Sequence, residues 1–205
     1  LNAHSRPAGF TIIELVVTMA VLALLANLAA SNMSTWMLSA RIRMTADEIE
    51  NGLRLAKAEA VKQNRVVAFM LTTSAVNANT MPLPAASATG SYWYAATVPW
   101  TAFTAAAIDN AQTFVAAGEI AAASSQVSVT GVATMCFTPS GRPTATYVDP
   151  TGATSCAATS ATYSVVPASG ATTAHNLQVT VSTGGQIRMC NPNKSLSTSP
   201  DGCPP

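Results

Sequence analysis

The chain has 205 residues, of which 49% are hydrophobic, 9% charged and 6% aromatic, and ten basic side chains against nine acidic ones give a formal net charge of +1. That length suits one domain plus an extended element, and the near-neutral balance excludes a strongly basic nucleic-acid-binding protein. Charge is also unevenly placed: six basic and four acidic residues lie between Arg41 and Arg65, whereas from Val66 onward Arg142, Arg188 and Lys194 oppose Asp109, Glu119, Asp149 and Asp201, leaving about −1.

Residues 1–9 form a short hydrophilic leader containing His4, Arg6 and Pro7. From Phe10 to Ala30 nearly every residue is apolar or small. About 20 helical residues rising roughly 1.5 Å each would just cross a hydrocarbon core of about 30 Å, so 10–30 reads as transmembrane. Glu14 falls inside that run, where a charge costs on the order of 3 kcal/mol; it either snorkels to the headgroups or has a partner. Trp36 suits an aromatic interface belt. Beyond it the pattern turns amphipathic, with Ile42, Ile49, Leu53, Ala56 and Ala60 recurring on one helical face and charges on the other. Glu50 and Arg54 form an i, i+4 pair in the favourable order. Gly52 costs about 1 kcal/mol relative to Ala and marks the expected bend. The segment from Thr11 to Gln63 therefore reads as one helix, with 10–30 in lipid and 31–63 as the amphipathic spine of a β-rich head spanning 64–205.

After Asn64 the pattern is β. Arg65 to Leu71 reads as a buried strand, Thr80 to Thr89 with Pro82 and Pro84 as a loop, and Tyr92 to Val98 as a second strand. The Ala-rich stretch from Ala102 to Ala123 reads as loop with a possible short helix. Gln126 to Thr130 and Met135 to Thr138 are further strand candidates, the latter stopped by Pro139-Ser140-Gly141-Arg142-Pro143. Leu177, Val179 and Val181 alternate with polar residues up to Thr183-Gly184-Gly185, and the chain returns through Gln186 to Cys190. This is the clearest hairpin, its Gly-Gly supplying positive φ angles.

Cys136, Cys156, Cys190 and Cys203 are even in number and include no C-x-x-C motif, which favours structural disulfides in an oxidising compartment. Cys136 with Cys156 and Cys190 with Cys203 is the favoured pairing, because each closes a local loop rich in Pro, Gly, Ser or Thr. Each bridge is worth about 3 kcal/mol. Zinc is the competing reading, but structural zinc usually wants cysteines two to four residues apart. Outside the leader, His175 is the single histidine and has no metal-spaced or triad-like company; Gly184-Gly185 is explained by a turn. Neither an enzyme nor a metal or other cofactor is expected.

Three readings of the N-terminus compete. A secretory signal peptide could be cut after Leu28-Ala29-Ala30, although its apolar segment is long and contains Glu14; a plain membrane anchor is the second. In the third, Phe10 is the mature start, and its new α-amino group lies one helical turn from Glu14, lowering the cost of that carboxylate in the membrane.

Gly9-Phe10-Thr11-Ile12-Ile13-Glu14-Leu15 resembles the class III signal of type IV pilins and type II secretion pseudopilins, a leader ending in Gly followed by Phe-Thr-Leu-Ile-Glu and an apolar helix. The resemblance implies that a prepilin peptidase cuts between Gly9 and Phe10 and N-methylates Phe10. It also implies that Glu14 pairs with the amino terminus of a neighbouring subunit during assembly. Ile49 to Val66, Phe137 to Pro143, and Gly185-Gln186-Ile187-Arg188 with Cys190 are similar to segments of the FimT/FimU and GspH group of minor pilins. The resemblance does not extend to the stretch from Thr72 to Thr134.

The implied fold is α+β, a type IV pilin fold with a long N-terminal helix packed on an antiparallel β-sheet head carrying disulfides. The implied role is a minor pilin that initiates or caps a pilus, with a GspH-like secretion pseudopilin and a DNA-binding transformation pilin as alternatives. Implied partners are prepilin peptidase, other major and minor pilins or pseudopilins, and inner-membrane lipid. The implied location is the bacterial inner membrane, single-pass with a periplasmic head, and then the pilus or pseudopilus. Arg6 against Arg41 and Arg43 leaves orientation to this resemblance. Two departures stand out. Ser31 replaces the helix proline of many pilins, and Gln186 replaces the first Arg of a Gly-Arg-x-Arg DNA-binding motif. That leaves Arg188, with Lys194, as weak DNA-binding candidates on a slightly acidic head.

Overall fold

A computed structural model describes residues 9–80, 83–98, 113–120, 126–145, 156, 158–168 and 176–204, with the side chains of 26–32 outside that set. The chain divides into two compact units, 1–37 and 38–205. Helix α1 runs over Ile12–Gln63. Among the described residues no helix is long and apolar enough to cross a membrane. The span expected over 10–30 includes side chains that lie outside the description.

In the second unit, Ile42, Ala46, Ile49, Leu53, Ala56 and Ala60 of α1 are fully buried. Their three-, four- and seven-residue spacing places them on one stripe of the helix. Gly52 belongs to that face, where it has a packing role. The helix continues through it to Gln63. A Cβ at Gly52 would lie 2.8 Å from Phe69 Cε2 and 3.0 Å from the Trp93 indole. The helix ends at Asn64, which takes a φ of 51°. The Asn64 amide donates to the Val61 carbonyl and the Arg65 amide to that of Ala60, the paired bonds of a Schellman cap.

The head contains two five-stranded sheets. The first has the order β3-β2-β1-β5-β6, from Phe114–Glu119, Tyr92–Thr97, Val67–Thr72, Thr134–Phe137 and Pro143–Thr144. The second is β10-β9-β8-β7-β4, from Gly202–Cys203, Ile187–Ser195, Leu177–Val181, Ala161–Pro167 and Val127–Thr130. Every pairing is antiparallel except β10 with β9. Central strand β1 is buried on both faces. Val67, Phe69 and Leu71 join the α1 stripe, Tyr163, Val165, Val179 and Val181 in the main core. Ala68 and Met70 point to a second, smaller core with Tyr94, Cys136 and Cys156. Phe69 is the hinge of the main core, stacked on Trp93 at 5.6 Å and meeting Tyr163 edge-on at 5.8 Å.

Phe114–Glu119, expected as loop or short helix, is strand β3 paired with β2. Its Gly118 fits because the Trp93 indole crosses it: a Cβ there would lie 2.5 Å from Nε1. Strand β7, absent from the sequence reading, alternates buried Ala161, Tyr163 and Val165 with more exposed neighbours. Residues 102–112 and 121–123 and His175 lie outside the described residues.

Candidate functional site

The N-terminal segment is built by Thr11. Its Oγ1 accepts the Glu14 backbone N–H at 3.3 Å, and its carbonyl accepts that of Leu15 at 3.3 Å. Thr11 and Glu14 stand at the Ser/Thr-x-x-Glu spacing of a capping box, of which the structure forms the Thr11 half. This local signal went unused in the sequence reading, and it gives Glu14 a first-turn position where the helix dipole favours a carboxylate. Around it the surface is apolar: Phe10 is 80% and Ile12 86% exposed, with Ile13, Leu15, Val16, Val17, Met19, Leu22, Leu24 and Leu25 also exposed. A helix apolar on every side requires lipid or other protein around it.

In the head, Cys136 is bonded to Cys156 and Cys190 to Cys203, with Cα separations of 5.5 and 4.9 Å. The first bridge lies in the smaller core; the second ties β9 to β10. Arg188 and Lys194 are both engaged in the same C-terminal loop. Arg188 Nη2 donates to the Pro200 carbonyl at 3.1 Å, and Lys194 Nζ reaches Asp201 Oδ2 at 2.7 Å. Asp201 also accepts from Ser199 Oγ. The Lys194 and Ser199 hydrogen bonds hold its carboxyl below the usual aspartate value. Among the described residues no group of three or more His, Cys, Asp or Glu could hold a metal ion.

A junction unnoticed in the sequence lies where helix and both sheets meet. Thr138-Pro139-Ser140-Gly141-Arg142 and Ser182-Thr183-Gly184-Gly185-Gln186 fold alike. In each, the first amide donates to the fifth carbonyl at 2.9 Å and the fourth amide to the first carbonyl at 2.8 Å. The first hydroxyl accepts the fifth amide, at 3.3 Å in one and 3.1 Å in the other. The fourth residue is a glycine at positive φ, 74° for Gly141 and 79° for Gly185, the geometry of a three-residue hairpin loop closed by a left-handed residue. Of the expected Gly-Gly pair only Gly185 takes positive φ. The two turns touch: a Cβ on Gly185 would run into the Gly141 carbonyl oxygen. Lys57 of α1 pins them, Nζ donating to the Gly185 carbonyl at 2.8 Å while its stem passes Gly141. Beside this clasp lies a cavity of about 570 Å³ between α1 and the β8–β9 turn, lined by Arg54, Lys57, Ala58, Val61 and Lys62 and by Gly185, Gln186 and Ile187.

Residues 45–185 match the model of the type II transport protein GspH family, and residues 4–26 match the prokaryotic N-terminal methylation motif. The chain belongs to the GspH family. The methylation motif followed by a GspH head makes it a minor pilin or pseudopilin of the GspH type, and the motif implies processing by prepilin peptidase and assembly with other pilins or pseudopilins. No curated protein matches the chain. Among solved structures it is similar to the type IV minor pilin FimU of Pseudomonas aeruginosa. One crystal form gives 16% identity and a TM-score of 0.48, covering 75% of this chain and 90% of that one. A second crystal form gives 17% and 0.46, covering 74% and 94%. It is also similar to the minor pseudopilin EpsH from the type 2 secretion system of Vibrio cholerae, at 13% identity and a TM-score of 0.44, covering 75% and 99%.

Proposed function

We propose that this GspH-family chain is a minor type IV pilin of the FimT/FimU kind, cut between Gly9 and Phe10, N-methylated on Phe10, and used to initiate or cap a pilus. The observation that carries this reading is the methylation motif with Glu14 in the first helical turn, leading into an exposed apolar helix and a disulfide-bonded GspH head. Before assembly, residues 10–30 hold the subunit in the inner membrane with the head in the periplasm, where disulfides persist. After assembly, the same apolar surface is buried among other helices. Glu14 pairs with the free amine of a neighbouring Phe10, which offsets the cost of the buried carboxylate.

The family model's own description favours a second reading, a pseudopilin of a type II secretion machine. A DNA-binding role has less support, because Arg188 and Lys194 are engaged by Pro200 and Asp201. Deleting the gene and scoring twitching, secretion of folded exoproteins and transformation separately tests these readings. Loss of twitching alone supports the pilus, loss of secretion the pseudopilus, and loss of transformation the DNA-uptake role. Replacing Glu14 with Ala is expected to abolish incorporation into filaments; full incorporation would refute the assembly contact.

A further inference from the structure

Of the four bridged cysteines, Cys136, Cys156 and Cys190 are buried, at 0%, 1% and 2% exposure, whereas Cys203 is half-buried. Their surroundings differ as well. The Cys136–Cys156 bridge lies in the smaller core with Val66, Ala68, Met70 and Tyr94, an apolar setting that opposes a thiolate. Cys203 Sγ lies 3.5 Å from Gln178 Oε1, a polar side chain whose amide donates to Ser164 Oγ at 3.3 Å. The Cys190–Cys203 bridge also closes a strap that has little else to hold it. β8 pairs with β9 over Ile187–Cys190. Beyond that, β9 continues to Ser195 with β10 as its one strand partner among the described residues. β10 is two residues long, and its register shifts between them. The Asn191 amide donates to the Asp201 carbonyl at 2.7 Å and the Leu196 amide to that of Cys203 at 3.2 Å. Arg188 reaches the Pro200 carbonyl, and the Lys194–Asp201 pair is exposed on both sides, a kind of pair that contributes little. Without the covalent tie, so few bonds do not offset the chain entropy lost in ordering the strap.

We propose that Cys203 is a thiol-exchange site, where a dithiol reductant attacks the sulfur, expels Cys190 and opens the C-terminal strap while Cys136–Cys156 stays closed. A thiolate of the reductant bonds to Cys203 Sγ as the Cys190–Cys203 bond breaks, and Cys190 leaves as a thiolate that takes up a proton. The second thiolate of the reductant then attacks its own sulfur in the mixed disulfide and releases Cys203, which is protonated in turn. The protein bridge gains two electrons and two protons, and the reductant ends as a disulfide. Access sets the order: attack on Cys190, or on either sulfur of the other bridge, requires local unfolding first. Oxidised reductant drives the same steps backwards, so the strap closes again. Once open, the segment from Leu196 to Cys203 detaches, and the β9 residues Asn191–Ser195 lose the strand that covers their main-chain donors and acceptors. The surface that this loop offers to a partner therefore exists only in the oxidised chain. Cys190 belongs to neither hydrophobic core, and the β7–β8–β9 pairing lies outside the strap, so the change stays local.

The test treats the full chain, folded in detergent micelles without denaturant, with reduced glutathione under anaerobic conditions. The reaction is quenched with N-ethylmaleimide and mapped by peptide mass spectrometry. Glutathione is expected on Cys203 and maleimide on Cys190, with this bridge opening at least about 100-fold faster than Cys136–Cys156. With dithiothreitol as the dithiol, Cys190 and Cys203 should both carry maleimide while Cys136 and Cys156 carry none. Hydrogen exchange in dithiothreitol should then show the Asn191 and Leu196 amides losing protection by about tenfold or more, with those of Val67–Thr72 unchanged. The doubly substituted Cys190→Ser, Cys203→Ser chain should give the same exchange pattern with no thiol added. Glutathione on Cys190 in place of Cys203, both bridges opening at one rate, or an opened chain whose Asn191 and Leu196 amides stay protected overturns the proposal. None of these outcomes touches the processing at Phe10, so the pilin reading stands or falls separately.

Discussion

Adjacent glycines in the β8–β9 turn should respond very differently to a single added methyl group. Gly185 has a φ of 79°, which costs an L-residue about 1 to 2 kcal/mol. Its new Cβ would also collide with the Gly141 carbonyl oxygen, a backbone atom on the opposite turn. Relieving that clash separates the turns and lengthens the Lys57–Gly185 bond, a charge-assisted interaction worth roughly 1.5 to 3 kcal/mol. Gly185→Ala should therefore destabilise the head by about 3 kcal/mol or more. Gly141 has a similar φ of 74°, but its Cβ would meet only the flexible Lys57 stem at 3.0 Å, so Gly141→Ala should cost about 1 to 2 kcal/mol. Gly184 has no positive φ, and its nearest neighbour would be Ser182 Oγ at 3.8 Å, so Gly184→Ala should stay within about 0.5 kcal/mol of the parent. Denaturant unfolding of the full chain in micelles, followed by near-ultraviolet circular dichroism with the disulfides intact, reads the order directly. If Gly184→Ala costs as much as Gly185→Ala, or if Gly185→Ala costs less than about 1 kcal/mol, the clasp does not hold the turns together.

Lys57→Met keeps the stem but removes the donor to Gly185, and should cost about 1.5 to 3 kcal/mol by the same unfolding measurement; Arg54→Met, which loses an i, i+4 pair whose arginine is exposed, should cost less, about 0.5 kcal/mol. Replacing both Cys136 and Cys156 with Ala opens a 20-residue separation, and replacing both Cys190 and Cys203 a 13-residue one, so each pair should lower stability by about 3 kcal/mol. The Cys136 pair should lose more, because it also leaves a gap in a buried cluster. Asp201 is held below the ordinary aspartate value by Lys194 and Ser199, so it stabilises the C-terminal loop above that ordinary value. The contribution is lost as pH falls through the depressed folded value. Carboxyl NMR titration should show the depression, and Lys194→Gln should shrink it.

Much of the fold follows from local patterns strong enough to survive packing. Ile42, Ile49, Leu53, Ala56 and Ala60 trace a stripe that only a helix can bury on one side, and the Leu177–Val181 alternation requires a strand. The cysteine pairs follow because each joins close neighbours in sequence. Strand β3 was hidden because Ala116, Ala117 and Gly118 carry little β signal; pairing with β2 and the passage of Trp93 over Gly118 make it a strand. Gly52 could not be read from propensity alone, since the same residue permits a bend or a close contact, and the partner rings are distant in sequence. Strand β7 did show alternation at Tyr163 and Val165, diluted by Thr and Ser. The clasp was half visible: Thr-x-x-Gly and Ser-x-x-Gly recur at Thr138 and Ser182. That the two turns meet, and that Lys57 joins them, is long-range information carried by no single segment.

The most direct test of the account is the mass of the N-terminal peptide from the mature protein isolated from its own cells. A chain beginning with N-methylated Phe10 is the predicted result. An uncut Gly9–Phe10 bond, or a mature start at Ser31, would contradict the proposed processing and with it the pairing of Glu14 to a neighbour's amine.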